Sequence, residues 1–208
     1  MSDLGCTDGV SMGVDPQKIQ PIVLVGGKAR RFGRDKLKEP MPGSNTMLVD
    51  APIGVLREVF GHCVALVGQC DEAVRGRADL IIEDKYPGIG PCGGVLSALE
   101  WAQGDVFVLA GDVPRLSPGV VNMMIHAGSD EPHAWAVLAR TLRLEPCIGI
   151  YRQAMREVLL ACVERGDYSL VDAIPPQRLH TVIIDGVEAL NVNTPGDLRR
   201  LGEGGSGQ

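Results

Sequence analysis

The chain has 208 residues, is 45% hydrophobic and carries a formal net charge of −6 at pH 7. That length suits one domain with a sizeable core, and the acidic balance excludes the basic field that nucleic-acid binding needs. No run of 18 apolar residues occurs, and the opening MSDLGCTDGVSMGVDPQKIQ has no apolar core of a signal peptide, so no membrane span and no secretion are expected.

The predicted elements follow in chain order. Residues 1–20 are polar and glycine-containing and read as a disordered arm, with one domain over 21–201 and a flexible tail over 202–208. Ile22–Val25 is a β-branched run ending in Gly-Gly and reads as the first strand. Val49–Val59 reads as a helix whose start is blurred by Pro52 and Gly54. Cys63–Val67 and Leu80–Glu83 are the next strands. A glycine-rich loop leads into a helix over Val95–Ala102, then a fully apolar strand over Val106–Ala110. Pro118–His126 has proline in its first turn and reads as a helix. Trp135–Ala139 and Ile148–Tyr151 read as strands, Gln153–Val163 as an amphipathic helix, Val182–Ile184 as a strand and Asp197–Leu201 as a last helix. This alternation predicts an α/β fold: a single doubly wound, Rossmann-like, three-layer domain with a mostly parallel sheet. Such sheets bind ligands at the carboxyl ends of their strands.

Six cysteines occur, Cys6, Cys63, Cys70, Cys92, Cys147 and Cys162, with no C-x-x-C and no Cys/His zinc spacing. Several lie in apolar runs, Cys63 in HCVALV among them. They are expected to be reduced and mostly buried, in a cytoplasmic protein.

The first strand runs into LVGGKARRFGRDK, Leu24–Lys36. Gly26 and Gly27 allow close approach of a ligand, and successive N–H groups there can form an anion nest. Lys28, Arg30, Arg31, Arg34 and Lys36 add five positive charges within nine residues of an acidic chain. Together these features predict a triphosphate cradle. It is not a P-loop, because Ile22 stands where the first glycine is required and Ala29 where Ser or Thr is required. A merely solvated basic turn is the competing explanation.

The strand over Val106–Ala110 ends in Gly-Asp-Val-Pro. A lone aspartate after a buried strand is costly unless it is paired or binds a cation, and a carboxylate suits a hard ion such as Mg²⁺. Between these two sites, Gly88, Gly90 and Gly93 form G-x-G-x-x-G, with Asp112 about 20 residues on, as in the dinucleotide fingerprint. Glu83 to Pro87 separate those glycines from their strand and Pro91 stiffens the turn, so NAD binding is disfavoured.

The whole pattern resembles the molybdenum cofactor guanylyltransferase family, within the nucleotidyltransferases of the nucleotide-diphospho-sugar transferase fold. The resemblance rests on four segments: the Leu24–Lys36 loop, with Val25 where the family has Ala; EDKYPGIGPCGG; AGDVP, with Gly111 where the family has Cys; and NVNTPGDL near the end. It implies transfer of GMP from GTP to the terminal phosphate of molybdopterin, with Mg²⁺ as cofactor, no nucleic-acid or membrane partner, and transient contact with other molybdenum cofactor enzymes. It implies nucleotide binding by Leu24, Val25, Gly26, Gly27, Lys36, Asp84, Gly90, Gly94 and Asp112. Catalytic roles fall to Lys36, Arg31 and Asp112, and the metal to Asp112 with Asn193 as a second candidate. The acceptor falls to Asn191 and Asn193. Asp84 would read the donor edge of guanine, although a turn cap explains it as well. Thr194 and Pro195 also fit an ordinary helix start. Arg143, Leu144, Glu145 and Pro146 match the family's acceptor strand only in part, and residues 37–59 depart from its pattern. A CTP-dependent transferase of the same fold stays open, as does a non-catalytic paralogue, which the presence of both Lys36 and Asp112 disfavours.

Overall fold

The computed structural model describes residues 16–26, 35–61 and 63–203. Seven strands among them form one sheet: β1 (Gln20–Leu24), β2 (Ala65–Val67), β3 (Leu80–Ile82), β4 (Val106–Ala110), β5 (Ala136–Arg140), β6 (Leu144–Tyr151) and β7 (Leu179–Ile183). Their order across the sheet is β3-β2-β1-β4-β6-β5-β7. All run parallel except β6, which is antiparallel to both β4 and β5. The chain steps outward from β1 through β2 to β3, then returns to place β4 on the other side of β1. The crevice between the carboxyl ends of β1 and β4 is therefore the switch point of the sheet, where such folds hold ligands.

Helices cover both faces. The helices are α1 (Asp50–Phe60), α2 (Glu72–Arg75), α3 (Pro91–Ala102), α4 (Pro118–Asp130), α5 (Met155–Glu164), α6 (Leu170–Ala173) and α7 (Pro195–Glu203). Strand residues alternate between two cores. Val23, Leu66 and Leu109 pack with Ile53 and Leu56 of α1 and Val121 and Met124 of α4. Ile22, Val67 and Val108 pack with Leu96 and Leu99 of α3 and Leu159 of α5. Strands buried on both sides need apolar residues at every position, which is why VFVLA and IVL read as unbroken runs. Three layers with a mostly parallel sheet agree with the predicted fold class.

Several boundaries differ from expectation. Residues 16–20, expected in the arm, are structured: Pro16–Lys18 forms a 3-10 turn, Ile19 is 1% exposed, and Gln20 already pairs in β1. Gly202 and Glu203, expected in the tail, belong to α7. Residues 1–15 and 204–208 lie outside the described residues. Helix α3 starts at Pro91 rather than Val95, so Gly93 and Gly94 are helical. A Cβ on Gly93 would lie 2.4 Å from the Tyr86 carbonyl oxygen and has no room, and one on Gly94 would lie 2.9 Å from Leu24 Cδ2 and force that side chain to shift. Proline at the first helical position needs no N–H partner. The same reasoning resolves the start of α1, where Pro52 lies in the first turn and Gly61 closes the helix at φ 64°.

Strand β6 begins at Leu144, four residues before the predicted start. Its register against β5 jumps between Leu138 and Ala139, from Gly149 to Glu145. Pro146, Cys147 and Ile148 bulge out of the β5 ladder at this point. The buried Tyr151 hydroxyl donates to the Pro146 carbonyl oxygen at 2.7 Å and satisfies a group the bulge frees. The described cysteines are all unpaired, and Cys63 is exposed because it stands in the turn before β2 rather than in the strand.

Candidate nucleotide site

A cavity of about 740 Å³ opens at the switch point. Leu24, Val25 and Gly26 form its floor at the end of β1, and Gly111 and Asp112 border it at the end of β4. Gly26 has φ 102°, and a Cβ there would lie 3.0 Å from the Gln69 carbonyl oxygen, so glycine is required by both conformation and space. Gly27 and Arg31 lie outside the described residues, as do Lys28, Arg30 and Arg34.

The chain returns to the cavity at Asp35. One carboxylate oxygen of Asp35 accepts from Leu37 N at 3.0 Å, the other from Asp71 N at 2.9 Å. Lys38 Nζ donates to Asp71 at 2.7 Å. The backbone on both sides of Lys36 is thus pinned to the loop after β2. From this fixed base Lys36 Nζ reaches Asp112 Oδ2 at 2.5 Å and Asn193 Oδ1 at 3.0 Å. The two charged side chains are 16% and 17% exposed. Asn193 itself is exposed, but its segment is tied to the site, since Val192 N donates to the Asp112 carbonyl oxygen at 2.9 Å. Residues from three distant parts of the sequence therefore converge on one ammonium group.

The opposite wall comes from residues 83–94. Asp84, Gly90 and Gly94 all border the cavity, with Pro87, Gly88 and Pro91. Asp84 Oδ1 accepts from Tyr86 N at 3.0 Å and from Ser97 Oγ at 3.2 Å, so the turn-cap role is real. Glu100 fixes the same loop through Lys85 Nζ and the Tyr86 hydroxyl, each at 3.0 Å. The G-x-G-x-x-G run follows β3, an edge strand, and not the switch-point strand a dinucleotide fold would use.

Among the lining residues outside the predicted site are Gly68 and Gln69 after β2, and Cys147 and Ile148 in the β6 bulge. Gly68 and Gln69 follow a strand end, which is a general signal, but no motif marks them. Glu145 and Pro146 complete the bulge wall beside Asn191. Glu145 is 9% exposed and accepts from Thr141 Oγ1 at 2.8 Å. Burial pushes the Cys147 thiol up to about 12, with the Asp112 and Glu145 carboxylates adding to it, so this thiol is neutral. Thr194 and Asp197 form a reciprocal cap at the start of α7, as a plain helix start predicts.

A metal would have few protein ligands here. No group of three or more His, Cys, Asp or Glu able to hold an ion occurs among the described residues. Asp112 nevertheless fits a hard dication that keeps its other ligands from phosphate and water, as Mg²⁺ usually does. The Lys36 ammonium, held between Asp112 and Asn193, shows that these oxygens accommodate a cation.

The family described as MobA-like NTP transferase domain matches residues 21–181. A Mycobacterium avium protein named "Probable molybdenum cofactor guanylyltransferase" is 33% identical over 200 residues, covering 91% of this chain and 98% of that protein. The crystal structure of molybdopterin-guanine dinucleotide biosynthesis protein A from Archaeoglobus fulgidus superposes with a TM-score of 0.70 at 23% identity, covering 89% of this chain and 97% of that one. The 2-C-methyl-D-erythritol 4-phosphate cytidylyltransferase of Thermus thermophilus shares the fold at a TM-score of 0.62 and 17% identity, over 89% and 97% of the two chains.

Proposed function

The chain belongs to the MobA-like NTP transferase family, and on that premise we propose that it is a cytoplasmic, Mg²⁺-dependent guanylyltransferase that moves GMP from GTP to the terminal phosphate of molybdopterin. The observation that carries this reading is the convergence of Lys36 and Asp112 at the switch-point cavity. The name of the Mycobacterium avium relative supports a guanine nucleotide as donor and the molybdenum cofactor as acceptor.

In the reaction an oxygen of the molybdopterin phosphate attacks the α-phosphorus of GTP. One P–O bond forms, the bond to the β-phosphate breaks, and pyrophosphate leaves. The acceptor phosphate is already anionic at neutral pH, so the protein needs no general base. Its work is alignment and charge neutralisation. Gly26 and Gly27 offer backbone N–H groups to the phosphates. Lys36 and Arg31 offset the charge that builds on the α-phosphate and pyrophosphate. Asp112 would hold Mg²⁺, with Asn193 as the candidate second oxygen, and the bound ion would supply Lewis-acid neutralisation of the triphosphate. Leu24, Val25, Gly90 and Gly94 border the nucleoside, and Asp84 offers it the oxygen not used by Ser97 and Tyr86. Asn191 and the bulge wall face the acceptor.

The rival worth retaining is CTP, because a cytidylyltransferase shares the fold. Transfer of label from α-labelled GTP and CTP, at equal concentrations with molybdopterin and Mg²⁺, tests the proposal. Label from GTP appearing in the dinucleotide product is expected. Preferred transfer from CTP would shift the reading to a cytidylyltransferase, and no transfer from either would leave a binding module.

A further inference from the structure

We propose that Lys36 is the resident counter-cation of the Asp112–Asn193 pair, so that a divalent ion is kept off Asp112 until a nucleotide's phosphates draw the ammonium away. This rests on the reading of Asp112 as the metal carboxylate. Lys36 Nζ lies 2.5 Å from Asp112 Oδ2 and 3.0 Å from Asn193 Oδ1, and these are the two oxygens a metal would be offered. An ion at Asp112 would need metal–oxygen distances of about 2.0–2.1 Å, and so would press two like charges together in a largely buried corner. Ammonium and dication therefore exclude each other.

The surroundings favour exchange by the side chain alone. Asp35 and Lys38, on either side of Lys36, are both bound to Asp71. The backbone is fixed, while the four-carbon stem of lysine can swing. Val192 N bonded to the Asp112 carbonyl oxygen, and Asn193 N bonded to Asp197, fix the two oxygens in the same way. The only partner that can repay the ammonium for leaving Asp112 is another anion. A triphosphate entering the cavity is that anion, and it carries its own metal. The device thus imposes an order: free metal binds poorly, and metal with nucleotide binds well.

Titration of nucleotide-free protein with Mn²⁺, read from the electron paramagnetic resonance signal of the free ion, tests this directly. Lys36→Met should bind Mn²⁺ at least about tenfold more tightly than the unsubstituted protein, because an acceptor freed from a charge-assisted hydrogen bond becomes available. Lys36→Arg, which keeps the pair, should bind as weakly as the original. Lys38→Met removes a nearby charge without freeing Asp112 and should give a much smaller gain than Lys36→Met. Adding Asp112→Asn to Lys36→Met should abolish the gain. Equal binding by the original protein and Lys36→Met, an equal gain in Lys38→Met, or a gain that survives Asp112→Asn would each overturn the proposal. Thermal melts confirm folding, and Lys36→Gln replaces Lys36→Met if the latter melts early. Failure of GTP transfer with this metal pattern intact would sink the proposed function alone.

Discussion

Val25 and Gly68 touch so closely that a Cβ built on Gly68 would stand 1.8 Å from the Val25 carbonyl oxygen, at a backbone φ of 118°. The loop after β2 therefore lies directly against the end of β1, and no L-residue with a side chain fits between them. Gly68→Ala should cost roughly 2–4 kcal/mol in urea unfolding, through overpacking against backbone and a strained φ. It should also weaken nucleotide binding, because Gly26 leans on the same loop at Gln69. Unchanged stability would mean that the two loops separate easily.

Lys36→Ala removes a cation that matters most as charge builds in the transition state, and kcat should fall by roughly 10²-fold or more. Asp112→Asn keeps the size and loses the charge, so turnover should require far more Mg²⁺. The double variant should be much less impaired than the product of the two effects, because both residues act on one assembly. Steady-state kinetics across a Mg²⁺ series measures all three.

Asp84 has one oxygen engaged by Ser97 and Tyr86, so its loss has two parts. Asp84→Ala should lower the melting temperature through the lost turn cap. If the second oxygen reads guanine, GTP binding should also weaken by about 1–3 kcal/mol more than CTP binding. An equal loss for both nucleotides in calorimetric titrations would confine Asp84 to its cap.

With the Cys147 thiol pushed up to about 12, only roughly one in ten thousand of these groups is ionised at pH 8. Iodoacetamide at that pH should alkylate the exposed Cys63 and leave Cys147 unmodified on the same timescale, as read by peptide mass spectrometry. Rapid labelling of Cys147, which lines the cavity, would show that its thiolate forms more readily than the neighbouring Asp112 and Glu145 carboxylates allow.

The Arg57 guanidinium, with Val64 N helping, holds the Asp79 carboxyl below its ordinary 3.8. A depressed carboxylate stabilises the fold above its unfolded pKa, and that contribution is lost as pH falls through the folded value. Asp79→Asn should therefore be less stable than the original protein near neutrality, with the gap closing progressively below about pH 4 in urea melts. Both side chains are more than a third exposed, so salt should shrink the effect.

What the sequence reveals depends on whether a feature is local. The runs IVL and VFVLA are apolar at every position because both faces of the sheet are covered, and they were legible as buried strands. The aspartate after the second run was legible because an acid at such a place needs a reason. The start of α3 was not, since Gly93 and Gly94 look like loop until the contacts with Tyr86 and Leu24 show why a helix would need them. The beginning of β6 was hidden by Pro146, whose place in a strand is tolerable only at a bulge. Gln69 carries no local mark, because its position depends on the Asp35–Asp71 hydrogen bond between segments 36 residues apart. No local pattern joins Lys36 to Asn193, 157 residues away, and only the family resemblance brought the two to one site.

The reversed course of β6 has a consequence for how such a scaffold can change over generations. The walls at Gly26, Gly68 and Asp112 lie at the far ends of β1, β2 and β4, reached only after the chain has crossed the sheet. The β6 wall is instead a strand's beginning, a few residues beyond the tight turn at Thr141–Arg143, and Tyr151 holds its bulge from behind. Insertions in that turn would reshape one side of the cavity while leaving every contact of Lys36 and Asp84 untouched. On the proposed function, the hairpin is a graft point where a lineage or an engineer can exchange what is received without rebuilding what is donated.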